Sequence, residues 1–144
     1  MYKFYTTSES AWAAMLKDIK AAKKSIYLEM YIFVDNTSGY NFFEILKQKA
    51  DEGVKVKIII DSFGSSELSQ KMIDELRKVG AEVLFFSYWF ERIHKKILII
   101  DENIVFLGGV NIHKFFRKWN DLQIRLEGSI AKYSLRSFAR IYNL

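Results

Sequence analysis

The chain predicts a mixed α/β sheet with helices on both faces, and three observations carry that prediction. Apolar runs of strand length alternate with amphipathic segments of helix length from residue 8 to residue 86. Beyond residue 94 three further strand-like runs follow with no helical segment between them. The 144 residues are half apolar, with no proline, repeat or interdomain linker, so residues 1–144 are expected to form one domain with a sizeable core.

Taken in order, Thr6-Thr7-Ser8-Glu9 has the capping-box spacing, and Trp12, Met15, Leu16 and Ile19 recur at helical intervals, which predicts a helix over about 8–23. Residues 25–34 are apolar and aromatic with a single charge, Glu29, and read as a buried strand. Phe42, Phe43, Ile45 and Leu46 mark the inner face of a helix within 40–51, with Gly53 beyond its end. A strand over 54–60, a loop and helix over 65–79 closed by Gly80, and a strand over 82–86 complete the alternation. The runs 94–100, 104–107 and 121–126 add strands, the first two as a hairpin across Asp101-Glu102-Asn103. Residues 129–142 read as a closing helix with Ile130, Leu135, Phe138 and Ile141 toward the core.

Functional information concentrates in Arg92-Ile93-His94-Lys95-Lys96-Ile97-Leu98-Ile99-Ile100-Asp101, which holds the pattern H-x-K-x4-D. Residues two apart on a strand share a face, so His94 and Lys96 can converge on one ligand. An imidazole is a nucleophile or proton donor near neutral pH, and a lysine is a compact cation suited to a phosphate oxygen. Downstream, Gly108-Gly109-Val110-Asn111 offers backbone N–H groups at Gly109 and an amide donor at Asn111 for an anion. Asp121 opens an alternating strand, where a carboxylate could hold one imidazole nitrogen and leave the other free to react. The pattern points to phosphodiester chemistry.

These residues resemble the phospholipase D superfamily, most closely one half of a cardiolipin-synthase-like member. The resemblance rests on His94, Lys96 and Asp101, on Gly108-Gly109-Val110-Asn111, and on Trp119-Asn120-Asp121 leading to Arg125-Leu126-Glu127-Gly128. Upstream, the segments 26–33, 53–56 and 61–65 match its landmarks too. One departure is Ile93, where the lipid enzymes commonly carry Asn. The resemblance implies a phospholipase D-like fold, a catalytic set of His94, Lys96, Asp101 and Asp121, and a metal-independent phosphodiesterase or phosphatidyltransferase working through a phosphohistidine. It implies no cofactor.

Family members use two copies of the motif, and this chain has one. The missing half is expected from a homodimer with its two-fold axis through the site, or from a second H-x-K-x4-D half. Alternative readings are a single-motif homodimeric endonuclease and an inactive half-domain that binds anionic lipid or nucleic acid.

Other residues have structural readings beside functional ones. Asp101 falls on the opposite face from Lys96 by parity and is expected to support the turn. Glu29, in a very apolar strand, should pair with a cation such as Lys96 or Arg92 or face the site as a substrate contact. Asp61 either lines the rim or caps a loop, and His113 is expected at the surface. In Phe85-Phe86-Ser87-Tyr88-Trp89-Phe90, Trp89 and Phe90 are candidates for exposure at a lipid, base-stacking or subunit contact.

Composition sets the outer bounds. Zero cysteines exclude disulfides and thiolate metal sites, and two histidines argue against a multi-histidine metal centre. A net charge of +5 favours anionic partners, either a phospholipid surface or nucleic acid. With no apolar run near a membrane span and no secretory-type N-terminus, the expected location is cytoplasmic, with a membrane-peripheral form if the substrate is lipid.

Overall fold

The computed structural model describes residues 1–34, 39–87 and 93–143. The elements run β1 (Tyr2–Thr7), α1 (Ser8–Ala21), β2 (Ser25–Met30), α2 (Phe42–Asp51), β3 (Lys55–Asp61), α3 (Gln70–Lys78), β4 (Glu82–Phe86), β5 (Ile97–Ile100), β6 (Ile104–Gly108), the 3-10 turn Lys114–Phe116, β7 (Asn120–Glu127) and α4 (Ser129–Tyr142). The strands form one sheet in the order β1-β7-β6-β5-β2-β3-β4. The βαβ units make β2, β3 and β4 parallel, and the hairpin half is antiparallel. The mixed sheet predicted from alternation is therefore the sheet observed.

Strand alternation sorts the core into two layers. Ile26, Leu28 and Met30 face Trp12, Met15 and Ile19 of α1, Phe42 and Leu46 of α2, and Ile73 and Leu76 of α3. Tyr27, Ile59, Ile97, Ile99 and Val105 face Ala131 and Phe138 of α4. In α4 the inner position is Ala131, whereas Ile130 is 38% exposed, one residue out of the expected phase.

Local signals needed small corrections. The N-cap of α1 is Thr7, whose side chain accepts from the Ser10 N–H. Glu9 does not close a capping box but pairs with Arg117 and Tyr40. The predicted hairpin is present: Asp101 and Glu102 take φ of 51° and 55°, and the Asn103 N–H donates to the Ile100 carbonyl at 3.0 Å.

Two larger differences concern strands. β1 was not anticipated; its Tyr2 and Phe4 are 70% and 54% exposed, and it is a strand because it pairs with β7 more than a hundred residues away. The run expected as a strand over 94–100 is one only from Ile97. On the β2 side the ladder ends at the pair Glu29↔Ile97, and on the β6 side Ile97 pairs with Leu107, one residue before β6 ends. His94 and Lys96 therefore lie on an unpaired lead-in to β5, at the end of the sheet.

Candidate active site

Past the end of β2 the chain bends at Tyr31, and both motif side chains gather on that ring. The His94 imidazole lies 4.6 Å from the Tyr31 ring centroid, and Lys96 Nζ lies 5.3 Å from it. The same Nζ donates to the His94 carbonyl at 2.6 Å. Convergence of the pair is thus achieved by a shared aromatic platform rather than by strand pleating alone.

Tyr31 is fixed by its surroundings. Ser65 Oγ donates to the Tyr31 carbonyl and accepts from the Phe33 N–H, at 3.0 and 2.9 Å. A Cβ on Gly64 would stand 2.4 Å from the Tyr31 carbonyl oxygen and 2.9 Å from its ring, so this close approach requires glycine. Sequence reasoning passed over Tyr31, because an aromatic residue at the end of an apolar strand reads as core. The nearby Gly64-Ser65 was the available signal.

Asp121 stands beside the same group. Burial pushes the Lys96 ammonium below its ordinary range, and the Asp121 carboxylate opposes that shift. Asp121 Oδ1 accepts from the Leu122 N–H at 2.7 Å. Gly109 makes room for it, since a Cβ there would be 2.2 Å from Oδ1. This corrects the expected role of Gly109 as an anion donor: its N–H already donates to the Leu122 carbonyl at 3.0 Å, and the next N–H, of Val110, goes to Gln123 Oε1. Asn111 is held with its Oδ1 accepting from the Ile32 N–H and its carbonyl accepting from Trp12 Nε1. That arrangement leaves the Asn111 Nδ2 group, without a partner among the described residues, as the donor at this end of the sheet.

Other expected members lie elsewhere. Asp101 is at the opposite end of β5, about 16 Å along the chain from Lys96. Its carboxylate accepts from the backbone N–H groups of Lys23, Lys24 and Ser25 at 2.7–3.2 Å. Burial raises its pKa, but those donors and the Lys24 charge outweigh burial and hold it below the ordinary value. The structure does not bring it to His94 and Lys96. Glu29 is 0% exposed, so the expected substrate contact is corrected as well: no ligand reaches it. Burial pushes its carboxyl up, opposed by Lys95, not Lys96, because Glu29 pairs with Ile97 and Lys95 shares that strand face. Arg92, its other expected partner, lies outside the described residues, as do Trp89 and Phe90.

Asp61 is buried rather than on the rim, and it organises loops by accepting from the N–H groups of Phe63, Gly64 and Ile93. His113 caps the 3-10 turn through Nδ1, which accepts from the Phe115 N–H, and its Nε2 lies 3.3 Å from Glu67. Among the described residues no three His, Cys, Asp or Glu side chains group as a metal centre would.

A histidine and lysine held together at the end of a mixed sheet, with a carboxylate and an amide beside them, define a phospholipase D-like domain. The family profile described as "Cardiolipin synthase, PLD-like domain" matches residues 15–140, and the chain belongs to that family. It is 37% identical over 139 residues to cardiolipin synthase 2 of Bacillus cereus, covering 85% of this chain and 27% of that protein. The chain thus spans about a quarter of that relative's length. In fold it is similar to NucT from Helicobacter pylori, with a TM-score of 0.85 at 19% identity, covering 99% of this chain and 96% of that one. It is also similar in fold to Nuc from Salmonella typhimurium, a phospholipase D family member, with a TM-score of 0.81 at 23% identity over 99% and 95% of the two chains.

Proposed function

We propose that the domain is the catalytic half of a metal-independent phosphatidyltransferase or phosphodiesterase of the cardiolipin-synthase type. The observation that carries this reading is the seating of His94 and Lys96 on Tyr31 with Asp121 at hand. In this reading a ring nitrogen of His94 attacks phosphorus, forming an N–P bond as the P–O bond to the leaving alcohol breaks. Lys96 and the Asn111 amide neutralise the charge on the non-bridging oxygens, and Asp121 orients the imidazole. An acceptor alcohol or water then displaces His94 and regenerates it. Tyr31 is a positioning residue, and Asp101 a structural one.

The departing oxygen needs a proton that His94, acting as nucleophile, cannot supply. This chain has only one other histidine, His113, and both of its ring nitrogens are engaged. The acid is therefore assigned to a second copy of the motif, from a homodimer or from a second half. A second reading, a single-motif homodimeric endonuclease, is favoured by the net charge of +5.

The deciding experiment incubates the protein with phosphatidylglycerol, phosphatidylcholine and DNA in parallel, with EDTA throughout. Release of glycerol from phosphatidylglycerol, with an acid-labile phosphoprotein trapped on quenching, is the expected result. DNA cleavage selects the nuclease, and silence with all three substrates from protein that is dimeric by light scattering selects an inactive binding half. Turnover that EDTA abolishes removes the metal-independent mechanism.

A further inference from the structure

The segment joining Asn111 to Asp121 contains His113-Lys114-Phe115-Phe116-Arg117-Lys118-Trp119, three aromatic rings and three permanent cations without an acid. It connects the end of β6 to the start of β7, the strand ends beside the Ile97 end of β5, so it forms a rim at the same end of the sheet as His94 and Lys96. Phe115 is 67% and Trp119 48% exposed, and Lys114 and Lys118 are exposed beside them. Arg117 turns inward to Glu9 at 2.8 Å.

The geometry points to this rim as a docking surface for an anionic lipid bilayer, seating the site against the headgroups. This role rests on the phospholipid reading. Three occupants would tolerate exposed aromatics, and two fit less well. The rings pack against one another edge-on or tilted: Phe115–Phe116 at 86°, Phe116–Trp119 at 90° and Phe115–Trp119 at 57°. They form an apolar knob rather than the open ring faces that stacked bases need. Lysine is depleted in protein–protein interfaces, yet two flank this knob. Aromatic side chains at headgroup depth flanked by lysines are what an anionic membrane surface selects.

The test is co-sedimentation of the full chain with vesicles, using His94→Asn protein so that no lipid is consumed. Binding to phosphatidylglycerol vesicles is expected to exceed binding to phosphatidylcholine vesicles. The double substitution Phe115→Ser/Trp119→Ser should weaken binding at least tenfold. Lys114→Gln and Lys118→Gln should each weaken it about fivefold. Tyr2→Ser/Phe4→Ser, which removes exposed aromatics of β1 instead, should change it little. Should the rim variants fold poorly, the milder Trp119→Phe must still lose its share of fluorescence quenching by brominated lipid. Undiminished vesicle binding in a folded double variant overturns the proposal. So does a rim variant that loses dimers or DNA binding while keeping vesicles. Binding that depends on the rim, in a protein that turns over no lipid, would retain this surface and discard the catalytic reading.

Discussion

The two ends of β5 carry the two parts of one motif in opposite physical states. At the Ile97 end, His94 is exposed, Lys96 is partly desolvated, and among the described residues the ammonium's hydrogen bond goes only to a neighbouring carbonyl. At the Ile100 end, Asp101 is saturated by three backbone N–H groups and ties the hairpin to the start of β2. Reactive groups are left under-satisfied so that a substrate can complete them, whereas a structural carboxylate is completed by the fold itself. In the proposed mechanism the contiguous pattern H-x-K-x4-D is therefore one reactive pair and one staple.

Substitutions at the two ends should consequently fail in different ways. The largest effect is expected from His94→Asn: turnover should fall about 10⁴-fold or more while the melting temperature stays within a degree or two. Retained turnover in that variant would remove the nucleophile. Next, Tyr31→Leu should cost roughly tenfold to a hundredfold in kcat with KM little changed, because a misplaced pair binds but does not react. Tyr31→Phe keeps the ring and should restore activity; failure to restore it would move the role from the platform to the hydroxyl.

A pH profile sharpens the comparison further. Since burial holds Lys96 below its ordinary 10.5, the alkaline limb of turnover should fall below that pH. Asp121 works against the depression, so Asp121→Asn should move the limb lower still and cost about tenfold at neutral pH. A limb that stays in place would separate Asp121 from Lys96.

The smallest effect on activity is expected at the other end. Asp101→Asn should leave turnover per folded molecule unchanged and destabilise the domain by about 2 kcal/mol, read as a fall of roughly 6 °C in thermal melting. The depressed Asp101 carboxyl stabilises the fold above its ordinary value of 3.8, and that contribution is lost as pH falls through the lower folded value. The wild type and Asp101→Asn should therefore converge in stability in strong acid. A loss of turnover without loss of stability would return Asp101 to the chemistry.

Much of this was legible in the chain. Continuous apolar runs in 25–30 and 55–61 report strands buried on both faces, and the helical spacing through Trp12, Met15 and Ile19 reports a helix buried on one, each a local property of its segment. β1 escaped because its outward side carries Tyr2 and Phe4 and its partner strand is remote. At the site, His94, Lys96 and Asp121 were legible as residue types in a spacing, and Asp101 by the parity that set it apart.

The sequence by itself determined the layered fold, the phosphodiester-type side chains and the family, because hydrophobic period and residue chemistry are carried by neighbouring positions. Only the tertiary structure decided that Tyr31 is the platform, that Gly109 yields to Asp121, that Glu29 is sealed away and that Asp101 is a staple. Those outcomes depend on which backbone groups, tens of residues apart, arrive first at each polar atom once the strands pair.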